Sequence, residues 1–113
     1  MAKRYRVVKE HKASFPYPMV VMAGDAVKVG EEDEEMPGWF WCTDEGGVSA
    51  WILGSFLQLE DGRAKMLVDY DSTEHTVRVG EVLEFVKEAG GWIWCTNSEG
   101  KRGWIPADKV EEI

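Results

Sequence analysis

The chain has only two histidines and two cysteines among its 113 residues, and no apolar run long enough to cross a bilayer. Neither His11 nor His75 has a cysteine or second histidine at zinc-ligand spacing. There is no nucleophile elbow, phosphate loop or H-E-x-x-H motif. No metal, no cofactor and no catalysis are expected, and both histidines are expected at the surface. Cations are scarce as well: 13 Lys and Arg stand against 21 Asp and Glu, a net charge of −8. Phosphate contacts need clustered cations, so nucleic acid is not expected as a partner, nor is an anionic membrane surface. A partner that is neutral or basic at the contact fits this charge. No apolar stretch follows Met1-Ala2-Lys3-Arg4, so a secretory leader is not expected and the cytoplasm is the expected location.

What is abundant is tryptophan, with six residues. The indole N–H needs a partner when buried, so several rings are expected to be half-exposed. All six tryptophans lie in an internal repeat. Residues 38–60 (GWFWCTDEGGVSAWILGSFLQLE) align without a gap to residues 91–113 (GWIWCTNSEGKRGWIPADKVEEI). Upstream, VVMAGDAVKV (20–29) pairs with TVRVGEVLEF (76–85) after a slip that falls in GEEDEEMPG (30–38) against VKEAGG (86–91). Loops absorb such length changes. The repeat divides the chain into two copies, 1–60 and 64–113, with Glu60-Asp61-Gly62-Arg63 as a short joint. A joint this short leads to the expectation that the copies pack together, and packing would bury apolar surface that a barrel of this size lacks alone.

Each copy reads as β. Asp25-Ala-Val-Lys-Val29 and Glu81-Val-Leu-Glu-Phe85 alternate polar and apolar. Trp39-Phe-Trp-Cys-Thr43 and Trp92-Ile-Trp-Cys-Thr96 are rich in β-formers, and Asp44-Glu-Gly-Gly47 and Asn97-Ser-Glu-Gly100 are turn sequences. Period 2 puts Trp39 and Trp41, and likewise Trp92 and Trp94, on one face, with Cys42 and Cys95 on the other. Buried free thiols are expected there, not redox or metal chemistry.

The second copy resembles the SH3 domain family, and in its shortened form the variant SH3 domains of prokaryotic proteins. Met66-Leu-Val-Asp-Tyr70 stands for the ALYDY-type opening, Gly80-Glu81 for the Gly-acid turn, Gly91-Trp-Ile-Trp94 for the Trp strand and Gly103-Trp-Ile-Pro-Ala-Asp-Lys-Val110 for the close. The first copy acquires the resemblance through the repeat. The resemblance implies an all-β chain of two tandem small SH3-like barrels, a non-enzymatic module that binds protein or peptide. It implies contact surfaces made by Trp39 and Phe56 in the first copy and by Tyr70, Trp92 and Pro106 in the second, with Asp71 and Glu74 as acidic contacts. Such grooves grip polyproline helices between aromatic walls. Val68 and Lys109 replace two walls in the second copy, and Leu53 replaces the proline in the first, so ordinary proline-rich peptides are expected to bind poorly.

Other readings stand beside these. The aromatics are equally suited to closing the tandem or a homo-oligomer, a structural role with no small ligand. The run Glu31-Glu-Asp-Glu-Glu35 reads as a solvated loop or as a selector for Lys or Arg in a partner. Phe15-Pro-Tyr-Pro18 reads as a stiff loop, or as a lip of the first groove.

Overall fold

A computed structural model describes residues 3–14 and 17–113; Met1 and Ala2 of the start, and Phe15 and Pro16 of the expected stiff loop, lie outside the described residues. The chain is all-β. Its strands are β1 (Arg4–Val7), β2 (Val20–Val21), β3 (Ala26–Glu32), β4 (Trp39–Thr43), β5 (Ser49–Leu53), β6 (Leu57–Glu60), β7 (Arg63–Met66), β8 (Tyr70–Asp71), β9 (Val82–Ala89), β10 (Trp92–Thr96), β11 (Arg102–Pro106) and β12 (Val110–Glu112). Single 3-10 turns at Gly54–Phe56 and Ala107–Lys109 precede β6 and β12.

The strands form two five-stranded antiparallel sheets, ordered β11-β10-β9-β1-β12 and β5-β4-β3-β7-β6, and a two-stranded β2-β8 ribbon. The two orders are the same order, strand for strand. Local chemistry repeats with them. In the β4–β5 turn Asp44 Oδ1 accepts the Val48 N–H at 2.9 Å, and in the β10–β11 turn Asn97 Oδ1 accepts the Lys101 N–H at 3.0 Å. Gly47 and Gly100 close these turns at φ 87° and 80°, which glycine adopts without strain. Trp41 faces Trp51 across its hairpin with ring centroids 5.1 Å apart, and Trp94 faces Trp104 at 5.2 Å.

The division of the chain differs from the expected 1–60 and 64–113. One compact unit is continuous, Tyr17–Ser72; the other is split, Met1–Pro16 with Thr73–Ile113. The difference lies in the first strand of each copy. β1 pairs with β12 and β9 of the second copy, while β7 pairs with β6 and β3 of the first. Asp61-Gly62 is not a joint but the tip of the β6–β7 hairpin, with φ 30° and 77°. Both central residues at positive φ match the twist of a tight hairpin, which is why Asp-Gly is favoured there.

Side-chain volume is matched to this exchange. In β1, Tyr5 lies against Phe85, ring centroids 6.0 Å apart; such a pair contributes roughly 0.5–1.5 kcal/mol beyond its buried area. The corresponding residue of β7 is Ala64, only 2% exposed. Phe85 stands opposite Cys95, whereas Val29 stands opposite Cys42. The strand with the large ring belongs to the sheet with the large neighbour. The core of the split unit gathers Val7, Val77, Leu83, Ile93, Cys95, Ile105 and Val110, so β1 contributes directly to it.

Cys42 and Cys95 are free, fully buried and face inward, as alternation requires. Desolvation pushes the thiols up to about 11 for Cys42 and about 12 for Cys95. Unfolded thiols deprotonate near 9, before the folded ones, so between these values the unfolded state binds fewer protons. Stability is therefore complete below about pH 9 and falls as pH rises towards about 11. Denaturation midpoints measured over that range are expected to fall less steeply in a Cys42→Ala/Cys95→Ala variant than in the natural chain.

Candidate functional site

The register places four positions of one unit in correspondence with four of the other. Trp92 pairs with Pro106 across β10–β11, and Trp39 with Leu53 across β4–β5. After β1 the chain reaches His11, which bridges Val77; after β7 it reaches Tyr70, which pairs with Val21. The 3-10 turn before the last strand carries Lys109 in one unit and Phe56 in the other. The same four places thus hold Trp92, Pro106, His11 and Lys109 in the split unit, and Trp39, Leu53, Tyr70 and Phe56 in the continuous one.

The two sets differ in chemistry. In the continuous unit Phe56 and Tyr70 contact through their rings, centroids 5.7 Å apart, and the Tyr70 hydroxyl donates to the Trp51 carbonyl at 2.9 Å. Tyr70 is 7% exposed and Trp39 only 6%, so the ring expected as an open platform at Trp39 is largely covered. Asp71 follows Tyr70 in β8 and is partly buried. Asp69 Oδ1 accepts the Ala23 N–H at 2.9 Å, so it supports the loop.

In the split unit the corresponding contact is polar. Lys109 Nζ lies 2.9 Å from His11 Nδ1, and His11 Nε2 lies 2.8 Å from Glu74 Oε1. An ammonium only donates, so Nδ1 accepts from Lys109 and Nε2 is the nitrogen left to donate to Glu74. Ser14 Oγ adds a long contact to the same Glu74 oxygen at 3.4 Å. The His11 ring stands edge-on to Trp92 with centroids 5.8 Å apart. Trp92 and Pro106 are half-buried, which leaves an aromatic and a prolyl surface beside a Lys–His–Glu chain. Lys109 has two N–H donors beyond the one given to His11, and a ligand carbonyl is a suitable acceptor for them.

Glu74 is held by backbone. The segment around it runs parallel to β11: the Trp104 N–H donates to the Thr73 carbonyl at 2.8 Å and the His75 N–H to the Trp104 carbonyl at 3.0 Å. His75 then points inward, 6% exposed, and its Nε2 donates to the Cys95 carbonyl at 2.8 Å. Neither histidine has the surface position expected of it. The His11 side chain is 8% exposed, because Glu74, Lys109 and Trp92 surround it. Close approach of this segment requires Gly103: a Cβ there would meet the His75 backbone nitrogen at 3.1 Å.

The expected contact residues of the second copy are therefore divided. Trp92, Pro106 and Glu74 lie in the split unit, while Tyr70 and Asp71 lie with Trp39 and Phe56 in the continuous one. His11 was missed by sequence reasoning, and Lys109 was noted only as a lost ring wall. Aligning Val7-Val-Lys-Glu-His11 with Met66-Leu-Val-Asp-Tyr70 would have found His11. In the acidic run, Glu32 Oε2 accepts the Gly38 N–H at 2.7 Å and Asp33 Oδ1 accepts the Glu35 N–H at 2.9 Å. Two of its carboxylates thus shape their own loop.

Among known families, the one described as Variant SH3 domain matches residues 65–113. No curated protein and no solved structure matches the chain. Strand composition, the Gly-Trp-Ile-Pro close and this match agree: a variant SH3 domain is found at residues 65–113.

Proposed function

We propose that the chain is a non-enzymatic module of two SH3-like barrels in tandem, the continuous unit being the divergent one, and that it recognises a protein or peptide in the cytoplasm. The observation that carries this reading is the half-buried Trp92, paired with Pro106 in the segment that matches an interaction-domain family and edge-on to His11, which links Lys109 to Glu74. Trp92 supplies a half-buried ring, Pro106 an apolar wall and Lys109 an ammonium that can donate to a ligand carbonyl. The polar walls favour a peptide with a polar residue where ordinary ligands of such grooves carry proline.

The test is binding of an immobilised peptide array, with hits titrated by tryptophan fluorescence. Trp92→Ala is expected to weaken any hit at least about tenfold, the loss of one stacked ring and its buried area. Retained affinity in a folded Trp92→Ala protein would remove this surface from the reading. The net charge of −8 supports a partner neutral or basic at its contact. Its affinity is expected to fall as salt rises from low concentration to about 0.15 M, because exposed charges are screened over about 8 Å there. Affinity that holds constant or increases with salt would contradict the charge complementarity.

A second reading, in which the aromatics serve assembly and take no small ligand, is favoured at one position. Trp39 is 6% exposed, and a ring so covered suits packing better than capture.

A further inference from the structure

Two observations assign the same strand to different barrels. The family match begins at residue 65, so it takes β7 as the first strand of the barrel built by residues 73–113. The structure gives that place to β1 and puts β7 beside β6 and β3. The places are equivalent in register. Val7 lies opposite Val110 and Arg6 opposite Glu111; Met66 lies opposite Leu57 and Lys65 opposite Gln58. On the other side Arg6 meets Val82 and Lys65 meets Ala26.

We propose that β1 and β7 are interchangeable between the two barrels, so that the chain has a second, less populated arrangement. In it β7 completes the barrel of residues 73–113 and β1 that of residues 17–60. The exchange changes the two candidate sites, because each first strand delivers one of their walls. Tyr70 moves from Phe56 to the place beside Trp92 and Lys109, and His11 moves from Lys109 and Glu74 to the place beside Phe56. The split-unit site loses its Lys–His–Glu chain and acquires a ring and a phenol, so one sequence presents two ligand chemistries at Trp92. Residues 67–81 then run as one loop within one copy, and residues 8–25 as one loop within the other. The structure also supplies the bias: Tyr5 matches Phe85, Ala64 matches the smaller neighbourhood of Val29, and Asp61-Gly62 closes a tight hairpin only in the exchanged form.

Disulfide trapping in the full chain distinguishes the arrangements. Arg6→Cys/Glu111→Cys joins strands that are neighbours in the structure, and Arg6→Cys/Gln58→Cys joins strands that are neighbours only in the other form. Directly opposed residues in antiparallel strands have Cα separations of about 4.5–5.5 Å, within disulfide reach. Both native thiols are buried and do not compete. Under slow oxidation the first pair is expected to close as the major intrachain product and the second as a minor one. Adding Tyr5→Ala removes the ring that favours the exchanged form and is expected to raise the second product roughly two- to tenfold, the weight of one aromatic pair. Absence of the Arg6–Gln58 product in both backgrounds would overturn the proposal. So would its exclusive formation, or the failure of both pairs to close in a folded protein.

Discussion

Residues 17–72, produced alone, are expected to fold cooperatively and to be more stable than residues 1–60, although the latter follow the boundary of the sequence repeat. The shorter fragment has the complete order β5-β4-β3-β7-β6 in one continuous piece. It also keeps the local β6–β7 hairpin, whose Asp-Gly turn closes without a long loop. Fragment 1–60 lacks β7 and has only β1 to put in its place. That places Tyr5 where Ala64 is 2% exposed, and overfilling a packed position costs roughly 1–3 kcal/mol. For a domain this small the thermal midpoint of 1–60 is expected to lie roughly 5–20 °C below that of 17–72. Circular dichroism on heating measures both. Equal midpoints, or a more stable 1–60, would mean that Tyr5 is accommodated and that side-chain volume does not choose between the strands.

Gly103→Ala is expected to destabilise the split unit by roughly 1–3 kcal/mol and to disturb its candidate site at a distance. The added Cβ would meet the His75 nitrogen at 3.1 Å, the His75 ring at 3.2 Å and the Glu74 carbonyl carbon at 3.3 Å. Two of these are backbone atoms in a segment tied to β11 by hydrogen bonds of 3.0 Å from the His75 nitrogen and 2.8 Å to the Thr73 carbonyl, so they yield little. If the segment retreats, Glu74 retreats with it and the 2.8 Å contact to His11 lengthens. The paired position in the continuous unit is Ala50, which stands opposite Cys42 as Gly103 stands opposite Cys95 and is buried at 4%. A methyl is tolerated there, so Ala50→Gly is expected to cost no more than roughly 1 kcal/mol. Chemical denaturation with the His11 ring protons followed by NMR reads both effects. A Gly103→Ala protein of natural stability with an unshifted His11 would show that the close approach is not needed.

The repeat made most of the fold legible. Gly-Trp-x-Trp-Cys-Thr at 38–43 and 91–96 located β4 and β10, and the turns at Asp44 and Asn97 located the hairpins. Alternation turned both thiols inward. The choice of first strand was not legible, because Val7 and Met66 are both apolar residues that suit the same inward place. What decides between them is the size of Tyr5 against Phe85, a contact between residues 80 positions apart that no local pattern encodes. The hairpin at Asp61-Gly62 did carry a local signal. Its position between the two copies invited reading it as a linker. Tyr70 and Asp71 were assigned to the copy that follows them in sequence, whereas they lie in the continuous unit; Trp92, Pro106 and Glu74 remain together in the split one. The histidines were misplaced for a related reason. Isolated polar residues without motif partners look exposed in one dimension, yet Glu74 and Lys109 reach His11 from 63 and 98 positions away.

The exchange of first strands is tested most directly by methyl NOEs of the full-length protein in its major form. Val7 is expected to show contacts with Val110 and Leu83, and the Met66 methyl with Leu57. Strong contacts from Val7 to Leu57 and from Met66 to Val110, with the expected pair absent, would place each first strand in its own copy and contradict the account.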